Sequence, residues 1–384
     1  MLRSGAMSPI RHLQTLAWVS IVALTLPSPL TAKPTPLDSR FVHPSGAMGR
    51  PLEPIGSLQF RAGYSFRSQD ENFGGFSGLD IDCATGHVVA VSDRGWYLAA
   101  RLVLASDGTL RGLAEPRLEP LLDFDGQPVE GRMRHDAEEI TRIPEGWLVS
   151  FEGEHRIAAY GVYVPLSARP DGAPGGEGPS AATPPTDIET AAEDSTDVQL
   201  AASAASDASP TLEPDGVPQP LPTPSGLEAT DENKGLEAMT RLLDGRLVLI
   251  TEGLRTTPQT VAGWVGAPGH WQRFELVATE EFQPTAAATL PTGDVLLQER
   301  HYDPDSDTVR IRLSRLEASS LQQDARIESQ ELGRFEPPLL VDNMEALAVC
   351  PADDGGVLVY LMSDDNFSDS QQTLLYQLVL PAPR

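Results

Sequence analysis

The chain has 384 residues, 40% of them hydrophobic, enough for a large core in one or two domains. Asp and Glu number 55 against 28 Lys and Arg, a net charge of −27. That excess repels phosphate backbones and anionic membrane surfaces, which excludes nucleic acid as a general partner and leaves cations admissible.

Residues 1–32 read as a secretory leader. Arg3, Arg11 and His12 are basic, Leu16–Leu26 is apolar, and Leu30-Thr31-Ala32 offers small residues for cleavage. The apolar run is shorter than the roughly 20 residues of a membrane span. The expectation is a periplasmic or secreted monomer with no membrane attachment after cleavage; an uncleaved anchor is the alternative. Residues 33–59 read as a linker. Two cysteines, Cys83 and Cys350, can pair in an oxidising compartment or stay as buried thiols.

Five segments then share one pattern: Phe76–Gly95, His135–Glu154, Asn233–Gly253, Phe282–His301 and Asn343–Asn366. Each opens with a short apolar run. A turn with glycine follows, then a second, more apolar run that ends on an acid. This is a hairpin signature. Further strands are expected at Tyr97–Leu104, Ile157–Val164, His270–Ala278, Val309–Leu316 and Thr373–Leu380. Hairpins with outer strands at this spacing predict an all-β β-propeller rather than a β-sandwich. Five repeats are visible, and a six-bladed ring is expected, the sixth blade lying in residues 40–70 or shared between the termini. The propeller would comprise residues 60–164 and 231–384. Residues 165–230 interrupt it. They hold eleven acids, one basic residue and no aromatic residue. Such a stretch buries too little apolar surface to offset its ordering entropy and is expected to be a disordered acidic insertion.

The repeats resemble the phytase-like family, exported bacterial proteins described as having esterase-like activity. The resemblance rests on Phe73-Gly74-Gly75-Phe76-Ser77-Gly78-Leu79, Val91-Ser92-Asp93-Arg94-Gly95, Asp136-Ala137-Glu138-Glu139-Ile140, Asn233-Lys234-Gly235-Leu236-Glu237-Ala238 and Met362-Ser363-Asp364-Asp365-Asn366-Phe367. It implies a propeller related to calcium-dependent phytases. Phe282–Ala288 departs from the pattern, with a small neutral segment where the acidic opening belongs.

Aligned repeats give two rings of positions. Ser77, Glu138, Glu237, Thr285 and Glu345 stand near the start of the first strand. Asp93, Glu152, Glu252, Glu299 and Asp364 stand at the end of the second. Equivalent positions of different blades converge on one axis. Close carboxylates need protons or a cation, and oxygen ligands suit a hard ion such as calcium. Glu138, Glu237 and Glu345 are therefore candidate catalytic residues and, with Asp93 and Asp364, candidate metal ligands. Arg94, Arg156, Lys234 and Arg300 follow or precede these acids closely and are candidates for gripping an anionic substrate. The same acids could instead pair with arginines and stitch blades together. Ser77 with His135 as base is a further alternative. The expected function is a calcium-assisted hydrolase of small phosphate esters or simple esters. A non-catalytic binding propeller of the cell envelope and a lactonase-like calcium propeller are the alternatives.

Overall fold

Every apolar run of the repeats becomes a strand, and each pair folds back as the inner hairpin of one sheet. The computed structural model describes residues 34–45, 53–129, 135–161, 213–231, 234–279 and 281–382. The first sheet is β3 (Phe76–Asp82), β4 (His87–Ser92), β5 (Trp96–Leu104) and β6 (Leu110–Pro120). The second is β7 (Ala137–Ile143), β8 (Gly146–Phe151), β9 (Arg156–Gly161) and β10 (Gln219–Leu221). The third is β11 (Leu236–Arg241), β12 (Leu247–Thr257), β13 (Thr260–Ala267) and β14 (His270–Val277), with β18 (Arg326–Ile327) parallel on its outer edge. The fourth is β15 (Gln283–Thr289), β16 (Val295–Asp303), β17 (Thr308–Leu316) and β19 (Gln330–Phe335). The fifth is β20 (Asn343–Pro351), β21 (Val357–Asp364) and β22 (Thr373–Leu380), continued by β2 (Gln59–Arg67) and β1 (Asp38–Phe41). The inner strands β3, β7, β11, β15 and β20 touch one another in cyclic order, so the five sheets are the blades of a closed propeller.

Alternation along the strands explains why they read as almost wholly apolar. Side chains of β4 point in turn to two neighbours: Val88 and Ala90 pack toward the fifth blade, Val89 and Val91 toward the second. In β12, Leu247 and Leu249 face the second blade and Val248 and Ile250 the fourth. Five apolar clusters result, one in each cleft between blades. A strand buried on both faces has no polar side to show.

The expected sixth blade does not form among the described residues, whose five sheets make a five-bladed ring. The described residues between 38 and 67 supply two strands, β1 and β2, and β22 leaves an open edge of backbone donors and acceptors. β2 covers that edge, from Gln59 opposite Val379 to Phe66 opposite Thr373. The start of the chain thus completes its last blade, and β1 falls inside the expected linker. The leader and residues 165–212 of the acidic insertion lie outside the described residues. Residues 213–230 differ from the expectation of disorder. β10 pairs with β9 to finish the second blade, and Glu213 lies 3.5 Å from His87 and forms an ion pair with Arg117 of the first. Composition masked this because an outer strand of three residues needs little apolar surface of its own.

A disulfide joins Cys83, just after β3, to Cys350 in β20, with Cα atoms 5.5 Å apart and 267 residues between them in sequence. It crosses from the first blade to the fifth, the same junction that β2 closes. In the loop-closure account a cross-link over so long a loop contributes about 5–6 kcal/mol. Replacing both cysteines by serine should lower the melting temperature by roughly 5–15 °C in scanning calorimetry. An unchanged transition would mean that the β2–β22 pairing alone holds the seam.

Candidate functional site

One extra residue interrupts the pairing of every inner strand with its hairpin partner, and always at the same level. Ser77 falls between the pairs Phe76–Ser92 and Gly78–Val91. Glu138 falls between Ala137–Phe151 and Glu139–Ser150. Glu237 falls between Leu236–Thr251 and Ala238–Ile250. Thr285 and Glu345 occupy the same place in β15 and β20. These are β-bulges, which leave one residue unpaired and re-aim its side chain. The first ring of aligned positions is therefore a ring of bulge residues.

The acids from these bulges and from the ends of the second strands act on one another. Glu138 and Glu237 are buried. Burial, then Asp136, Glu152, Glu345 and Asp93, pushes Glu138 well above the usual carboxylate range. Burial and then Glu138, Glu152, Glu252 and Glu345 do the same to Glu237, and burial with Glu345 and Asp93 to Asp364. Asp93 is raised to about 7, by burial and then Asp136. Glu152 is also raised to about 7 by burial, although the Gly235 N–H donates to it at 2.8 Å and Glu237 shares a hydrogen bond with it. One oxygen each from Asp136, Glu138 and Glu152 lie within 4.8 Å of one another. An all-oxygen group of this kind fits a hard divalent cation.

Arg300 enters this cluster. It reaches Glu345 at 2.8 Å and Glu252 at 3.5 Å, and donates to Asn343 Oδ1. Asn343 in turn donates to Asp364 at 3.1 Å. The other expected cations stand differently. Lys234 lies 4.0 Å from Asp231 and acts electrostatically on Glu252. Arg94 is exposed, its guanidinium 3.3 Å over the Phe367 ring, and donates to the Glu71 carbonyl at 3.0 Å. Arg156 lies 4.0 Å over the Phe151 ring and 3.6 Å from Glu154, lining a small cavity with Leu122 and Tyr160. Glu299 turns away from the cluster, accepting from Arg312 and from Ser314 at 2.9 Å. His135 bonds to the Asp93 carbonyl at 2.5 Å, and among the described residues no hydrogen bond joins it to Ser77.

Two acids were not singled out from the repeats. Asp136 escaped because its backbone position, bonded to the second-strand end, carries Gly75 and Gly235 in the neighbouring repeats. Glu139 is the other. It is buried and accepts the N–H groups of Ile140 at 3.0 Å, of Ala287 in the fourth blade at 3.3 Å, and of Leu79 in the first. β3 comes close enough only because residue 78 is glycine; a Cβ there would lie 2.7 Å from the Ile140 nitrogen. Residues of all five inner strands, among them Leu79, Ile140, Thr240, Ala287 and Leu347, line a cavity of about 180 Å³ beside this carboxylate. Glu139 thus ties three blades together across the axis. Glu139→Ala should cost about 2–4 kcal/mol in urea unfolding, since it strands buried donors on three strands. A loss under 0.5 kcal/mol would contradict that role.

A carboxyl that titrates higher in the fold than in the unfolded chain binds a proton on folding, so its ionisation costs stability. The cost is absent below the ordinary carboxylate range and grows as pH rises through about 7, where Asp93 and Glu152 titrate. Cation-free protein should therefore melt at a lower temperature at pH 8 than at pH 5.5. Glu138→Gln should narrow the difference, read by thermal scans at both pH values in chelator.

Residues 71–183 and 186–367 match the family model described as Phytase-like, esterase-like activity of phytase. No curated protein matches the chain. Among solved structures, one titled "YCF48 bound to D1 peptide" is 10% identical over 92% of this chain and 99% of that one, with a TM-score of 0.32. The Cps50 (Swd1) β-propeller domain of Myceliophteria thermophila is 8% identical over 90% of this chain and all of that one, with a TM-score of 0.35. Likenesses this distant bear on neither blade count nor function. The family match covers most of the chain, and the chain belongs to the phytase-like family.

Proposed function

From this family membership and the converging acids, we propose an exported, monomeric hydrolase of small phosphate or carboxylate esters that works with a divalent cation, calcium fitting the ligands best. The observation that carries this reading is the set of oxygens from Asp136, Glu138 and Glu152 within 4.8 Å of one another, ringed by further acids. Export is supported by the leader-like residues 1–32 and by the Cys83–Cys350 disulfide.

Asp136, Glu138 and Glu152 would hold the cation, with Asp93, Glu237, Glu345 and Asp364 around them. When bound it would polarise the ester and lower the pKa of a water. The chain's own groups do the rest. Glu237 is buried, hydrogen-bonded to Glu152 and pushed well above the usual carboxylate range by burial and the surrounding acids, which suits it to donate a proton to a leaving oxygen. Glu345 and Glu252 fix Arg300, which presents its guanidinium to an anionic group. Lys234, half-exposed beside Glu252, adds charge.

The test is turnover of 4-nitrophenyl phosphate and 4-nitrophenyl butyrate by folded protein in calcium and in chelator. Turnover in calcium, lost in chelator and lowered about 100-fold or more by Glu138→Gln or Glu237→Gln, is expected. A calcium-dependent rise in melting temperature with no turnover of either ester would point to a binding propeller. Turnover confined to lactones would point to a lactonase.

A further inference from the structure

Beside Arg300 the site opens into a cavity of about 680 Å³ between the fourth and fifth blades. This is the size of a small-ligand pocket. Its walls come from β16 and its turn, from the β19–β20 connection and from the β21–β22 connection. It adjoins the acids directly, because Arg300 and Asn343, which bond Glu345 and Asp364, belong to both.

The charge of these walls is informative. Arg300 is the one cation among the lining residues, and Glu345 and Glu252 already balance it. Asp307 and Asp342 are the acids. Asp307 accepts the Tyr302 hydroxyl at 3.0 Å, while Asp342 accepts Gln371 Nε2 at 3.0 Å and the Gln372 N–H at 2.9 Å. Among the described residues that line it, an additional phosphate in this space would meet no uncommitted cation, within a chain of net charge −27.

Uncharged hydrogen-bonding groups are what the walls do offer. The side-chain carboxamides of Asn366 and Gln372 make no hydrogen bond among the described residues, and each presents donors and an acceptor. The Tyr302 ring is 51% exposed and gives a flat apolar surface. Paired donors and acceptors beside an aromatic face suit a ring of neutral hydroxyls.

We infer that this cavity is the leaving-group subsite and that the substrate is an ester of a neutral polyhydroxylated alcohol, a sugar or cyclitol carrying a single anionic group. This rests on the hydrolase reading above and names its substrate class. The charge of the walls sets polyphosphorylated alcohols aside.

The experiment compares glucose 6-phosphate, methyl phosphate and myo-inositol hexakisphosphate at one buffered free calcium concentration. Wild-type protein should show kcat/KM at least tenfold higher for glucose 6-phosphate than for either other ester. Asn366→Gly with Gln372→Ala (glycine because Asn366 holds a φ of 48°) should cut the preference over methyl phosphate at least tenfold. The inference is overturned if the hexakisphosphate is the better substrate, if methyl phosphate matches glucose 6-phosphate, or if the variant keeps the preference. Should no ester be turned over, the hydrolase reading fails by itself. Calorimetric titration with the same probes then decides the subsite: tighter binding of glucose 6-phosphate sustains it, and tighter binding of the hexakisphosphate overturns it.

Discussion

A β-bulge at one level of all five inner strands turns one residue per blade out of the regular ladder, and the acidic cluster depends on it. In an unbroken antiparallel ladder residues 138, 237 and 345 would alternate into the clefts between blades, where apolar clusters leave no place for a carboxylate. The extra residue moves each of them out of that alternation while the strand beyond it resumes its packing. Blade architecture and site chemistry are then separable within a single strand. Ser77 and Thr285 hold the same position without charge, so the cluster is lopsided: it draws on the second, third and fifth blades, with Asp93 from the first.

Buried acids in this ring meet the cost of desolvation in two ways. Glu139 and Glu299 have partners within the protein, the first in backbone donors of three blades, the second in Arg312 and Ser314, which offset part of the burial that still raises both. Such groups brace the ring. Asp93, Glu138, Glu152, Glu237 and Asp364 are left to repel one another, and Arg300 serves mainly Glu345 and Glu252. An arrangement short of internal compensation needs protons or a cation from outside, which makes it responsive to both.

Local pattern carried much of this in the sequence. The five hairpins follow from apolar runs around glycine turns, and the bulge residues follow from aligning them. What depends on a partner far along the chain was not legible. The blade count turns on β2 pairing with β22, and no periodicity near residue 60 says which edge it will meet. Glu299 aligns with the site acids but stands directly opposite Arg312 in the ladder, and that cross-strand neighbour draws it away. Asp136 has no acidic counterpart in the repeats, so alignment could not raise it. The end of the acidic insertion is ordered because β9 offers an edge, a property of the second blade and not of residues 213–230.

The pairing of β2 with β22 also sets an order of events for the chain. Of the described strands, the one that seals the ring precedes all five inner hairpins in the chain, and its partner follows them. Until then the first blade has no finished neighbour on one side, and its apolar flank, with Val88, Ala90 and Leu98, stays open to solvent. Growth from the N-terminus can add blades one at a time but cannot close the circle. The ring closes only when β2 meets β22, and the contacts that close it are of long sequence separation, the kind that form slowly and leave an unfinished chain prone to sticking to its neighbours.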